Sequence, residues 1–278
     1  MPRPKKPPRW LEAARARDSG TGGDWLSRAL ARAGVMPLQE AEEAIRAGRV
    51  RLDAREEKEP MAPVHPHSRA FVDDGEVSLA WRTRVLQLHK PAGVVTHGSD
   101  PEGQGTVFDV LRAALPAELR PFGWHAVGRL DRDTTGLLLF TNDERFVGHA
   151  THPSTHLPKR YVARVGAKVT EKKLEPLRHG VKLDDGELTR PAKAKVRSED
   201  TVELVLTEGR FHQVKRMLNV VGLPTLSLHR EAVGALELDV PLSAYRELSD
   251  EEVRTKLNYE PRVSPSPYGG EGRGESRP

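Results

Sequence analysis

The stretch Gly128-Arg-Leu-Asp-Arg-Asp-Thr-Thr-Gly-Leu-Leu-Leu-Phe-Thr-Asn-Asp143 (GRLDRDTTGLLLFTND) sets a charged loop directly ahead of an apolar run. Leu137 to Phe140 is short, continuous in its hydrophobicity and bounded by turn residues, which is the pattern of a buried strand. Thr134, Thr135 and Gly136 supply the turn, glycine tolerating backbone angles that other residues avoid. A loop anchored by a core strand is a usual place for a catalytic group, and Asp131 sits there among Arg129, Arg132 and Asp133. The same letters also describe an ordinary polar strand entrance with an Arg129–Asp131 ion pair, so the loop by itself does not assign a function.

Working outward from the loop, Lys159 to Val165 alternates as a strand, with Tyr161, Ala163 and Val165 on one face. Val202 to Leu206 is another strand. After Glu208-Gly209-Arg210 a helix is expected from Phe211 to Val221, closed by Gly222. Val214, Met217, Leu218 and Val221 form its apolar stripe at i, i+3, i+4, i+7. Lys215 borders that stripe, so its charge is partly removed from water and calls for a nearby carboxylate, which Asp131 would supply if the two elements meet. A lysine extending its charge outward is the competing reading. Upstream, Val85 to Leu88 is a strand ending at Lys90-Pro91, a Gly-rich loop covers 93–106, and a helix follows from Val107 to Leu115. His89, Lys90 and His97 are either phosphate contacts or plain loop residues. Asp184-Asp185-Gly186 marks a hairpin.

The order of these blocks resembles the RsuA-like branch of the RNA pseudouridine synthases. The resemblance rests on GRLDRDTTGLLLF together with HKPAGVVTHGSDPEGQGTVFDVL, THPSTHLPKRYVARV, TEGRFHQVKRML and LHREAVGALEL, which occur in the family's order. It implies an α+β fold: a mixed, mainly antiparallel sheet with flanking helices and a central cleft, preceded by a small S4-like module. It also implies isomerisation of a specific uridine in ribosomal RNA to pseudouridine, with the base flipped out of its stack and no cofactor. By the same resemblance Asp131 is the reactive carboxylate, Tyr161 stacks on the target base and Lys215 is the cation beside Asp131. Arg216 is the fallback for Lys215, and Asp133 is structural. Arg129, Arg132, Arg210 and Arg216 are expected to contact RNA.

Ahead of the catalytic blocks, two short helices are expected, from Trp25 to about Ala33 with Asp24 as cap and Gly34 as stop, then from Pro37 to Ala47 ended by Gly48. Strands near 49–52 and 69–72 follow. The words AEEAIRAGRVRL resemble the S4-like RNA-binding module, which makes Arg28, Arg32, Arg46, Arg49 and Arg51 candidate RNA contacts. The chain departs from that module's pattern at Trp25, where an Arg is usual. It departs again at Met36 to Gln39, where a Ser and a basic pair are usual, and at Asp53-Ala54, where Asn-Gly makes a better turn. A weaker or differently aimed grip on RNA is therefore expected. The domains are expected at 1–22 (a disordered basic arm), 23–80 (the S4-like module), 81–255 (the catalytic domain) and 256–278 (a disordered tail).

Composition narrows the alternatives. The 278 residues suffice for one large and one small domain, and 37% hydrophobic content is enough for a core. Cysteine is absent, which excludes disulfide frames and thiolate metal sites. No apolar run approaches the ~20 residues of a membrane span. Arg3, Lys5, Lys6, Arg9, Arg15 and Arg17 outweigh Glu12 and Asp18 by as much as the whole chain's net charge of +4, a pattern suited to phosphate backbone. His149, His152 and His156 invite a metal reading, but Pro153 and Pro158 break the helix it would need. The expectation is a cytoplasmic protein, monomeric, acting on ribosomal RNA alone or within assembling ribosomal particles, with no membrane partner and no metal. Two other classes compete: a non-catalytic RNA-binding ribosome-assembly factor on the same fold, and a hydrolase built on Asp131 and Asp133, for which no histidine or metal partner lies in the motif.

Overall fold

The computed structural model describes residues 24–65, 68–98, 103, 105–155 and 157–264. The basic arm, residues 265–278 of the expected tail and His156 lie outside the described residues. The chain divides into two compact units: residues up to Arg82 with Ala117–Gly123 and the stretch from Arg262, and Thr83–Pro116 with Trp124–Pro261. Two later segments of the chain thus return to the first unit.

The first unit begins with β1 (Asp24–Trp25), α1 (Leu26–Arg32) and α2 (Leu38–Arg46). Strands β2 (Val50–Leu52), β3 (Arg55–Glu57), β4 (Pro63–Val64), β5 (Ala70–Val72) and β6 (Gly75–Val77) follow. They pair antiparallel in the order β3-β2-β5-β6, while β4 pairs with β1. Leu26, Leu30, Ala41, Ile45 and Val50 are buried together, where the apolar faces of the two helices meet the sheet. Asp24 is not the expected helix cap. It lies in a strand, Trp25 takes the cap position without a side-chain bond, and the Asp24 carboxylate pairs with Arg32 at 2.9 Å. The unpromising Asp53-Ala54 turn closes its hairpin after all. Asp53 takes a left-handed conformation (φ 57°), and its carboxylate accepts a bond from the Arg69 amide at 2.8 Å.

The second unit runs β7 (Val85–Lys90), α3 (Val107–Ala114), β8 (His125–Val127), β9 (Thr135–Thr141), α4 (Glu144–Thr151), β10 (Lys159–Val165) and α5 (Glu171–His179). It continues with β11 (Lys193–Ser198), β12 (Thr201–Leu206), α6 (Gln213–Val220), β13 (Thr225–Val233), β14 (Leu236–Glu237), β15 (Tyr245–Glu247) and α7 (Asp250–Leu257). The main sheet is ordered β11-β12-β10-β13-β9-β7-β15, with β8 on β9 and β14 on β13. Every pairing is antiparallel except β9 with β13, giving the mixed, mainly antiparallel sheet expected.

Strand β9 is the axis of this unit. Leu137, Leu138, Leu139 and Phe140 are all at most 1% exposed, because helices and strands cover both faces of the strand. Each such side chain contributes roughly 1.5–3 kcal/mol by leaving water. A core on one side gathers Leu137, Leu139, Phe146, Val233, Val253 and Leu257. A second, under β10 and β12, gathers Ala163, Leu174, Leu177, Leu204, Met217 and Leu218. Residues 256–264, read from the sequence as the start of a tail, are folded: α7 ends at Leu257, and the Tyr259 hydroxyl donates to Asp143 at 2.7 Å. The Ser264 amide donates to Trp81 at 2.8 Å. Among the described residues no helix is long and apolar enough to cross a membrane.

Candidate active site

The loop between β8 and β9 carries Asp131 and Asp133, and its backbone is fastened at alternate residues. Thr96 Oγ1 donates to the Leu130 carbonyl at 2.8 Å and accepts from the Leu130 amide at 3.2 Å. The Gly93 amide donates to the Arg132 carbonyl at 2.9 Å. Lys90, left open in the sequence as a phosphate contact, is fully buried instead. Its Nζ donates to the carbonyls of Pro91 (3.0 Å), Arg132 (3.1 Å) and Thr134 (2.8 Å). The carbonyls of 130, 132 and 134 are held from beneath, which leaves the side chains of 131 and 133 to project together. Burial pushes the Lys90 ammonium down to about 8, against the pull of Asp133 and Asp131.

Gly136 makes the strand entrance possible. It has φ +109°, and a Cβ there would lie 2.3 Å from the Arg230 carbonyl oxygen, since β9 and β13 come together at this pair. Arg230, which the sequence did not single out, is 3% exposed and donates from Nε to the Leu137 carbonyl at 2.7 Å. Its guanidinium stands 5.9 Å from the Tyr161 ring centre, and Nη1 reaches the Tyr161 hydroxyl at 3.5 Å. Strand β10 places Tyr161 opposite Leu204 on one side and Arg230 on the other. Lys159, on the same face, is lowered to about 8 by burial and by Arg230.

Helix α6 starts at Gln213, two residues later than its periodicity suggested. His212 occupies the cap position in a left-handed conformation (φ 50°, ψ 29°) that breaks the helix there. The turn before it is knitted by Gln213, which donates to Glu208 at 2.5 Å and accepts from the Arg210 amide at 3.0 Å. From this helix Lys215 Nζ reaches Asp131 Oδ2 at 3.3 Å, the meeting expected from the stripe. Its shorter bonds, however, go to Asp133 at 2.6 and 2.8 Å. The hydrogen bond from Lys215 holds the Asp133 carboxyl below its usual range. Asp133, read as merely structural, therefore shares the lysine. The other oxygen of Asp131 faces His212 Nε2 at 3.3 Å.

An open pocket collects Asp131, Tyr161, Arg129, Arg210 and His212 on its lining, floored by Leu130, Leu206 and Leu228. Thr134 also lines it, with a buried hydroxyl that has no protein partner. Of the other expected RNA contacts in this unit, Arg129 bonds His97 and Arg210 pairs with Glu208 at 3.3 Å. The fallback Arg216 turns to Asp184 and to Asp185, the latter at 2.7 Å, and leaves Asp131 to Lys215. Arg132 contributes its carbonyl to the Lys90 clasp. In the first unit, Arg28 lies 4.5 Å over the Trp25 ring and Arg32 pairs with Asp24. Arg46 pairs with Glu42 at 2.9 Å, Arg49 with Asp73 at 2.8 Å from Nε, and Arg51 with Asp74 at 3.3 Å. His149 bonds the Leu257 carbonyl and His152 bonds Ser154. No cluster of metal-ligating side chains occurs among the described residues.

A carboxylate between a lysine and a histidine, across a pocket from a tyrosine, sits in a chain whose residues 84–220 match the family described as RNA pseudouridylate synthase. The relative titled uncharacterized RNA pseudouridine synthase YtzG of Bacillus subtilis (strain 168) is 34% identical over 82% of this chain and 96% of its own. This chain belongs to the RNA pseudouridine synthase family. As a member it is an isomerase. The ribosomal small subunit pseudouridine synthase A of Escherichia coli (strain K12) is 35% identical, over 75% of this chain and 89% of that protein. The ribosomal large subunit pseudouridine synthase B of Bacillus subtilis is 34% identical, over 82% and 93%. A crystal structure of a pseudouridylate synthase superposes with a TM-score of 0.58 at 28% identity, covering 84% of this chain and all of that one. The sequence could have exposed Lys90 and Arg230 only by their oddity, a cation closing one apolar strand and another inside the alternating β13. Spacing alone gave no sign of His212.

Proposed function

We propose that this synthase converts a uridine of ribosomal RNA to pseudouridine, with Asp131 as the reactive carboxylate and Tyr161 as the platform for the flipped base. The substrate class follows the relatives that are named for ribosomal subunits. The reaction breaks the bond between ribose and uracil nitrogen, turns the base and rejoins it through carbon, so the base must leave its stack. The observation that carries this reading is the placement of Asp131 in the pocket with Tyr161, with Lys215 and His212 each 3.3 Å from one of its oxygens. Attack on the ribose, attack on the uracil ring and removal of a sugar proton all use the ionised carboxylate, and a cation at that distance is the charge partner of that form. The first unit, with its S4-like order of two helices and a small sheet, would add affinity for RNA while the second performs the chemistry.

The test uses ribosomal RNA transcripts carrying 5-tritiated uridine, from which tritium leaves when the new carbon–carbon bond forms. Wild-type protein is expected to release tritium. Asp131→Asn is expected to release none while still retaining the RNA on a filter, and residual turnover in that variant would refute the assignment. Binding without release by wild-type protein would instead favour the assembly-factor reading.

A further inference from the structure

Phe211 is 73% exposed, in the turn that carries His212 into the pocket. Its ring lies on the His212 ring with centroids 3.7 Å apart and planes 20° from parallel. His212 in turn lines the pocket and faces Asp131 at 3.3 Å. His212 makes both contacts from a left-handed backbone, a conformation uncommon outside glycine. An aromatic stack thus runs outward from the catalytic carboxylate and ends in a bare ring face.

Resting on the ribosomal RNA reading above, we propose that the open face of Phe211 stacks an unpaired nucleobase neighbouring the target uridine in the strand. Extruding one nucleotide unstacks its neighbours, whose faces then need new cover, and an aromatic ring continuous with the pocket offers it. The occupant is a base of RNA rather than an apolar protein segment because the pocket lined by His212 also presents Arg129, which meets no carboxylate among the described residues, and Arg210, which keeps Glu208 at 3.3 Å. A flat π-face stacked on the histidine of a pocket that carries cations suits a polyanion with planar bases.

The experiment compares full-length wild type with Phe211→Ala, Phe211→Leu and Phe211→Trp. It measures kcat and KM for tritium release from ribosomal RNA transcripts, filter binding of the same transcripts, and Tm. Stacking predicts that Ala and Leu each raise KM and Kd about tenfold, that Trp matches Phe, and that Tm is unchanged. Binding by Leu equal to wild type would show that apolar area suffices and would overturn the proposal. So would an unchanged Ala variant, or a fall in kcat at constant KM, which would place Phe211 behind His212 as a positioning residue. Loss of self-association with unchanged RNA binding would assign the ring to a protein contact and overturn it as well. If wild type releases no tritium, the enzymatic reading fails, yet the filter-binding comparison still decides the stack.

Discussion

The cations of the first unit and those around the Asp131–Asp133 loop are matched to their carboxylates in opposite ways. In the first unit four arginines each have their own acid at the surface: Arg46 with Glu42, Arg49 with Asp73, Arg51 with Asp74, Arg69 with Glu76. Such exposed pairs contribute little, because water and salt already satisfy both charges. Around the loop, one lysine serves two aspartates and another is buried against three carbonyls with no carboxylate bond. Shared and buried cations fix geometry, and their removal leaves neighbours that nothing else satisfies. The difference teaches that a buried lysine tied to three loop carbonyls fixes the path of that loop, which a surface arginine paired with its own acid does not.

The harshest test of the loop's rigidity is Gly136→Ala. Its methyl group would meet the Arg230 backbone, so a loss of about 4 kcal/mol or more is expected, read as a collapsed Tm or insoluble protein. A normal Tm would mean that β9 and β13 are not held as closely as described. Next comes Lys215→Met, expected to cut turnover about a hundredfold with little change in Tm, with partial recovery in Lys215→Arg. An active Met variant would erase the distinction between shared and matched cations.

A gentler test is pH. Lys90 titrates at about 8 in the fold against an ordinary value near 10.5. Below 8 it is protonated folded or unfolded, and its burial counts against the fold. Between about 8 and 10.5 the unfolded chain binds more protons at this residue, so this group's contribution to stability rises with pH. Over the same window the clasp loses one of its donated protons. Turnover on bound RNA is therefore expected to fall above about pH 8 without a parallel fall in Tm, and rates that track Tm would contradict the clasp. The smallest effect belongs to Arg46→Ala and Arg49→Ala, with Tm unchanged. Each that touches phosphate should reduce the slope of log affinity against log salt by about one and leave kcat alone. A large loss of kcat would show that the first unit's pairs also serve the chemistry.

Much of the second unit was legible in the sequence. Leu137–Phe140 read as a buried strand because a continuous apolar run has few other uses. The α6 stripe placed Lys215 on the border of the core, and from there its reach to Asp131 followed. The start of α6 was misplaced because Phe211 continues the apolar pattern, while the left-handed turn at His212 is imposed by contacts rather than composition. Asp133 was left as structural because the resemblance gives the reactive role to the aspartate of Arg129-Leu130-Asp131, and only the direction of the Lys215 ammonium reveals that it shares the cation.

The order of blocks along the chain determined the family and the α+β class, since these are carried by residue type and local period. Tertiary structure decided how charge is divided: that Lys90 lies under the loop, that Arg230 threads between β9 and Tyr161, that Lys215 prefers Asp133, and that 117–123 returns to the first unit. Those outcomes depend on distances of a few ångströms between residues far apart in sequence. Covalent spacing does not encode such distances, because they are set when the sheet closes and each buried polar group must find the partner within reach.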